Sequence, residues 1–194
     1  MTTPSQLSRQ PRVIGDKDPD LALVERCRSG DWSAFTELVI RYQRPIYNAA
    51  FWVLRKPEDA NDITQIVFLK IAERLDEYDP RFKFFSWIYR IAVNESLNLL
   101  RRSGREEALD EEVDLPASES ADPERRASAA EVAQRIRGAL MKLPPNDRVV
   151  LTLRHFSECS YEEIGQILDL DPKTVKSRLF EARQRLRVLL GDLH

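Results

Sequence analysis

The sequence predicts an all-α protein: two small helical domains joined by a flexible acidic linker, the second containing a helix-turn-helix. Three observations predict it. Apolar residues recur at three- and four-residue spacing along most of the chain, whereas valine and isoleucine do not alternate with polar residues as in strands. Only 6 glycines stand among the 194 residues, few enough to leave long helices uninterrupted. Helical periodicity lapses over 104–123, where prolines and acids replace the apolar stripe, so helical parts lie on either side.

Residues 1–19 are polar, with prolines at 4, 11 and 19 and no apolar core, and read as a disordered tail rather than a signal peptide. The first domain spans 20–103. Its periodicity starts with Leu21, Val24 and Cys27, breaks at Ser29-Gly30-Asp31, and resumes through Phe35, Leu38, Val39 and Tyr42. Pro45 suits the first turn of a third segment, Ile46 to Leu54. Lys56-Pro57-Glu58-Asp59 starts a fourth helix whose buried face is marked by Ile63, Ile66, Val67, Lys70, Ile71 and Leu75. Tyr78-Asp79-Pro80 ends it, and a fifth helix runs from about Ser86 to Arg102. The second domain, 124–194, reads as four helices: Ala127 to Leu143, Asp147 to Phe156, one opened by Ser160, and one from near Pro172 to about Leu190.

Charge distribution says more than net charge. The total of −2 argues by itself against a nucleic-acid partner. Yet Arg81, Lys83, Arg90, Arg101, Arg102 and Arg105 face one acid, Glu95, within a single stretch. Lys173, Lys176, Arg178, Arg183, Arg185 and Arg187 likewise stand with one acid, Glu181, while residues 106–124, which follow the first block, hold nine acids and no base. Two basic blocks around an acidic spacer fit two nucleic-acid contacts.

Several classes fit poorly. Cys27 and Cys159 stand far apart with no CxxC and no histidine at ligand spacing, so no metal site or disulfide framework is expected. They read as free thiols in a reducing cytosol, and no stretch approaches transmembrane length, so a cytoplasmic protein without membrane insertion is expected. Two histidines and the lack of a phosphate-binding glycine loop argue against an enzyme, and no cofactor is expected.

Ser160-Tyr161-Glu162-Glu163 is a capping box: the serine caps the helix start and Glu163 reaches back. Asp169-Leu170-Asp171 makes a tight connection, with Asp171 as N-cap and Pro172 at the first helical position. Short helix, short turn and long basic helix form the helix-turn-helix pattern. On the last helix Val175, Leu179, Ala182 and Leu186 share the core arc. The opposite arc carries Lys173, Ser177, Phe180 and Gln184, flanked by Lys176, Arg178 and Arg183. An outward phenylalanine among cations suits a thymine methyl or a sugar; the alternative is a charged solvent face of a helical hairpin.

Trp87, Arg90, Asn94, Asn98 and Arg101 share one face of the fifth helix, and Ile88, Ile91, Ala92 and Leu99 another. A ring, amides and guanidinium groups suit unstacked bases. Arg81-Phe82-Lys83-Phe84-Phe85 precedes the helix, and its rings either meet nucleic acid or fold beneath the helix.

Asp59 to Phe68, Phe85 to Asn94, Leu143-Pro144, Ser160 to Ile164 and Thr174 to Arg183 together resemble, in order and spacing, segments of extracytoplasmic-function sigma factors of the sigma-70 family. The resemblance covers about 20–103 and 124–191. It implies core RNA polymerase as partner, through its clamp and flap regions, with Asp59, Asp62 and Gln65 on the surface that docks on the clamp coiled coil. It implies that Phe82, Lys83, Phe84 and Phe85, with Trp87, Arg90, Asn94, Asn98 and Arg101, separate and hold the strands of the minus-ten element, Asn94 at a flipped base. It implies that Lys173, Thr174, Lys176, Ser177, Arg178, Phe180, Arg183 and Gln184 read the minus-thirty-five element of promoter DNA. Many members are restrained by an anti-sigma factor, so such a partner is expected. Ile66 stands where relatives commonly carry an acid, and Glu181 where several carry a base.

Linker length agrees with two promoter contacts: twenty extended residues reach roughly 60–70 Å, about two turns of B-DNA at ~34 Å each. The rival reading is a helix-turn-helix regulator that binds duplex DNA without polymerase. It leaves the Trp87 to Arg101 stripe and the aromatic segment before it without a role.

Overall fold

A computed structural model describes residues 18–104 and 123–191, so the acidic linker and most of the N-terminal tail lie outside the described residues. Helix α1 is Leu21–Arg28. The chain turns at Gly30, whose φ of +91° suits a residue without Cβ. Asp31 caps the next helix by accepting from the Ser33 amide at 2.9 Å.

Helix α2, Trp32–Leu54, runs unbroken through Pro45, where the sequence suggested two helices. The proline removes one intrahelical bond at a cost of about 3 kcal/mol. Leu38, Tyr42, Ile46, Ala49, Ala50 and Val53 are buried on both sides of it. Burial contributes about 1.5–3 kcal/mol for each large side chain, so the continuous core stripe prevails.

Arg55, at φ +66°, closes α2, and Pro57 opens α3, Pro57–Arg74. Its buried residues are Ala60, Ile63, Val67 and Ile71. Ile66, expected on that face, is exposed beside Leu69. A 3₁₀ turn, Leu75–Glu77, leads to α4, Phe84–Ser103. This helix starts earlier than periodicity indicated, so Phe84 and Phe85 form its first turn rather than a loop.

The second group comprises α5 (Pro123–Met141), α6 (Pro145–His155), α7 (Tyr161–Leu168) and α8 (Pro172–Gly191). Ile164, Ile167, Val175, Leu179 and Ala182 form the buried centre of the α7–α8 pair. A Cβ on Gly165 would meet the Leu170 carbonyl oxygen at 2.6 Å, so the turn needs glycine at that point.

The two groups pack against each other, α2 on α6 and α4 on α7, around one continuous set of buried residues. Trp52 stacks on Phe156 with centroids 5.2 Å apart. Arg148, only 2 % exposed, donates to the Met141 and Leu143 carbonyls of its own group and, at 2.9 Å, to the Val53 carbonyl of the other. Burial, assisted by the nearby charge of Arg55, lowers its pKa to about 10, leaving it cationic at neutral pH. Carbonyl dipoles therefore take the place of a carboxylate partner for this buried cation.

Candidate nucleic-acid and polymerase interfaces

Helix α4 divides its faces sharply. Phe84, Ile88, Tyr89, Ala92, Val93, Ser96 and Leu100 are buried, whereas Arg90, Asn94 and Arg101 are exposed and Asn98 is half-buried. Arg101 donates to Asn98 Oδ1 at 2.6 Å, so these two arrive as a pre-set pair. Trp87 is half-buried and leans on the rings of Tyr78 and Phe84, both with centroids 5.7 Å away. Of the expected stripe, Arg90, Asn94 and Arg101 are exposed, while Asn98 and Trp87 are half-buried.

The aromatic segment divides as well. Phe84, 1 % exposed, sits in a box of Tyr42, Tyr78 and Trp87 and has no face left for a base; of the two readings left open for this ring, folding beneath the helix holds. Phe82 and Lys83 are half-exposed, and Phe85 is half-exposed against the Tyr89 ring at 4.1 Å. Burial and then the Asp18 carboxylate push the Tyr78 hydroxyl far above its usual pKa, so it remains a neutral donor. Arg28 Nη2 donates to the Leu75 and Tyr78 carbonyls at 2.8 Å each, which fixes the chain leading into this segment.

The helix-turn-helix forms as expected. Ser160 Oγ accepts from the Glu163 amide at 3.1 Å, and Glu163 Oε2 accepts from the Ser160 amide at 2.7 Å. Asp171 accepts from the Thr174 amide at 2.9 Å at the start of α8. Lys173, Lys176, Ser177, Arg178, Phe180, Arg183 and Gln184 are exposed, Phe180 by 62 %, and Thr174 is half-exposed. Arg183 Nη2 lies 3.3 Å from His155 Nε2, which links this face to the end of α6.

On α3, Asp62 and Gln65 are exposed and Asp59 is half-buried. Ile66 and Leu69 lie among them as exposed apolar side chains, and Lys70 pairs with Glu95 at 2.7 Å to lock α3 onto α4. The surface is thus an acidic and amide patch with an apolar centre.

Sequence reasoning missed the contacts between the two helical groups. Lys83 Nζ is 2.8 Å from Glu163 Oε1, and Arg90 is 4.0 Å from Asp169. Two cations of the expected minus-ten surface therefore face the acids of α7 and the turn after it. Burial pushes the Glu163 carboxyl up, but hydrogen bonds from Lys83 and the Ser160 amide outweigh this and hold it below its usual value. Both thiols are raised, Cys159 to about 12, chiefly by burial; this opposes the thiolate form that reactive cysteines need.

Residues 38–106 match Sigma-70 region 2, and residues 133–186 match Sigma-70, region 4. The chain is 31 % identical to the ECF RNA polymerase sigma factor SigW of Bacillus subtilis, over 88 % of this chain and 96 % of that protein. It is 35 % identical to the ECF RNA polymerase sigma-E factor of Escherichia coli, over 86 % of this chain and 92 % of the relative. Among solved structures it is similar to CnrH in complex with the cytosolic domain of CnrY. The TM-score is 0.67 at 29 % identity, covering 91 % of this chain and 99 % of that one. With a region 2 group that exposes a basic, amide-bearing helix face and a region 4 group built around a capped helix-turn-helix, the chain belongs to the extracytoplasmic-function sigma factors of the sigma-70 family.

Proposed function

We propose that this sigma factor divides promoter recognition among three surfaces. The α3 patch of Asp59, Asp62, Gln65 and the adjacent Ile66 and Leu69 docks on the polymerase clamp. Arg90, Asn94, Asn98 and Arg101, with the exposed edges of Phe82, Lys83, Phe85 and Trp87, engage the separated minus-ten strand. The outer face of α8, from Lys173 to Gln184, reads the minus-thirty-five duplex in the major groove. The domain division at 20–103, 104–123 and 124–194 belongs to the same reading, with the cytoplasm as its site of action.

One observation carries this reading: α4 exposes its own basic, amide-bearing face, separate from the recognition helix. A regulator that binds only duplex DNA has no use for it. Unstacking costs a few kcal/mol per base, and a guanidinium- and amide-lined surface offsets that cost by stacking and hydrogen bonding. Within this division of labour Phe84 is scaffold, holding Trp87 at its angle.

A protein that restrains the factor has a ready seat. An open cleft of about 540 Å³ lies between α2, α4 and α6, lined by Arg41, Pro45, Trp52, Phe85, Tyr89 and Phe156 among others. CnrH, a similar chain over most of its length, was solved in complex with the cytosolic domain of CnrY. An anti-sigma factor that lays an apolar segment across both helical groups fits this cleft.

Run-off transcription over a promoter library, with purified core polymerase and with or without the chain, tests the reading. Start sites that depend on the chain, sharing two elements spaced for both surfaces, support it. Duplex footprints by the chain alone, with no chain-dependent initiation, would reinstate the regulator.

A further inference from the structure

The described chain begins with a carboxylate lodged at the entrance to α4. Asp18 Oδ2 accepts from the Phe84 backbone amide, which belongs to the first turn of α4, and lies 2.9 Å from the Tyr78 hydroxyl. Lys83, the N-cap residue of α4, supplies no side-chain cap of its own. Asp18, 66 positions before Phe84, therefore performs that task, and its charge suits the positive end of the helix dipole. The Tyr78 hydroxyl is also 2.6 Å from the Phe82 carbonyl oxygen, so its single hydrogen is shared between that oxygen and Asp18, and Asp18, Tyr78, Phe82 and Phe84 form one polar cluster.

That cluster is itself anchored. Asp20, 2 % exposed, accepts from both Arg41 and Tyr42 of α2, and Asp18 accepts from the Asp20 amide at 3.1 Å. Arg28 holds the Tyr78 carbonyl from the other side. The segment between Tyr78 and Phe84 carries the exposed Arg81 and the half-exposed Phe82 and Lys83, the last of these held to Glu163. Asp18 precedes the stretch matched to region 2, which begins at residue 38.

We propose that Asp18 is a positioning residue for promoter opening: by capping α4 from outside it sets the angle at which Phe82, Lys83 and the α4 face meet the minus-ten strand. The inference rests on the assignment of that strand to α4. Asp18 itself touches no DNA; it acts through the Phe84 amide and the Tyr78 hydroxyl. Loss of the acceptor frees the first turn of α4 and lets the segment before it sample other orientations before the strands part.

The test uses the full chain assembled with core polymerase, on a fully paired promoter and on the same promoter carrying a pre-opened mismatch bubble. Asp18→Ala is expected to lower initiation on paired DNA about five- to tenfold, the scale of losing one helix-capping acceptor, with little loss on the bubble. Asp18→Asn, whose amide oxygen still accepts from Phe84, is expected to recover much of it. Holoenzyme assembly and the thermal midpoint of each variant are measured alongside. Equal losses on both templates, through failed folding or failed docking, overturn the proposal, as does no loss on paired DNA. Asn94→Ala separates the two levels of the reading. If it lowers opening while Asp18→Ala does not, only the role of Asp18 fails. If neither does, the assignment of the minus-ten strand to α4 fails with it.

Discussion

Lys83 Nζ lies 2.8 Å from Glu163 Oε1, so a residue at the entrance to α4 is bound to the residue that completes the capping box of α7. Glu163 thereby serves two ends, closing its own helix and holding region 4 against region 2. A phosphate that recruits Lys83 has to displace a carboxylate first. Glu163→Gln keeps the side chain's shape but loses the charge. Gln at this position still closes the capping box, so the expected cost is that of the lost ion pair, about 0.2–1 kcal/mol, read by chemical denaturation. Tighter binding of a single-stranded minus-ten oligonucleotide to the free chain should accompany it; unchanged oligonucleotide affinity would show that the pair does not compete with DNA.

Acid should act through the same carboxylate. Because the Glu163 pKa is held below its unfolded value, its stabilisation is complete above that value and is lost as pH falls through the folded one. The thermal midpoint should therefore drop on acidification below about pH 4.5, and the drop should be shallower in Glu163→Gln. Parallel curves for the two proteins would assign the acid sensitivity to other carboxylates.

Gly165 is the steric test of the turn. Its added methyl would sit 2.6 Å from the Leu170 carbonyl oxygen, a backbone atom that cannot swing away. Gly165→Ala is expected to destabilise region 4 by about 1–3 kcal/mol and to weaken minus-thirty-five duplex binding through misplacement of α8. Wild-type stability in this variant would mean that the turn relaxes freely.

On α8 the two kinds of contact separate by salt and sequence. Lys176→Ala should weaken duplex binding on all sequences and reduce the salt slope by about 1, the signature of one lost phosphate contact. Phe180→Ala should instead relax preference at one position by about 1–3 kcal/mol if its ring meets a thymine methyl. Binding titrations at several salt concentrations, on a promoter set varied base by base, distinguish them.

Much of the fold was legible because it is local. The Ser160–Glu163 box and the Asp171-Pro172 start depend on neighbours within a few residues, and each appears where the sequence put it. The outward Phe180 was legible for the same reason, since the core arc of α8 leaves it no other direction. Two failures are local, the exposed Ile66 and the early start of α4; the rest are non-local. Pro45 reads as a break until the stripe on both sides is known to be buried as one. Phe84 looked like a possible base-stacking ring because nothing near it in sequence reveals that Tyr42 and Tyr78 enclose it. Asp18 fell inside an expected tail, and its partners lie 60 and 66 residues away. The Arg148 bond to Val53 spans 95 residues and leaves no periodic trace.

The most direct test concerns Asn94, exposed on the α4 face that is assigned to the opened strand. A fluorescent adenine analogue placed at the flipped position of the minus-ten element reports unstacking when holoenzyme binds. Wild-type holoenzyme should raise its emission strongly. Asn94→Ala should lower that rise about tenfold, as expected for a buried polar contact worth about 1–3 kcal/mol, while leaving the minus-thirty-five footprint intact. An unchanged signal in the variant would contradict the claim that α4 holds the separated strand.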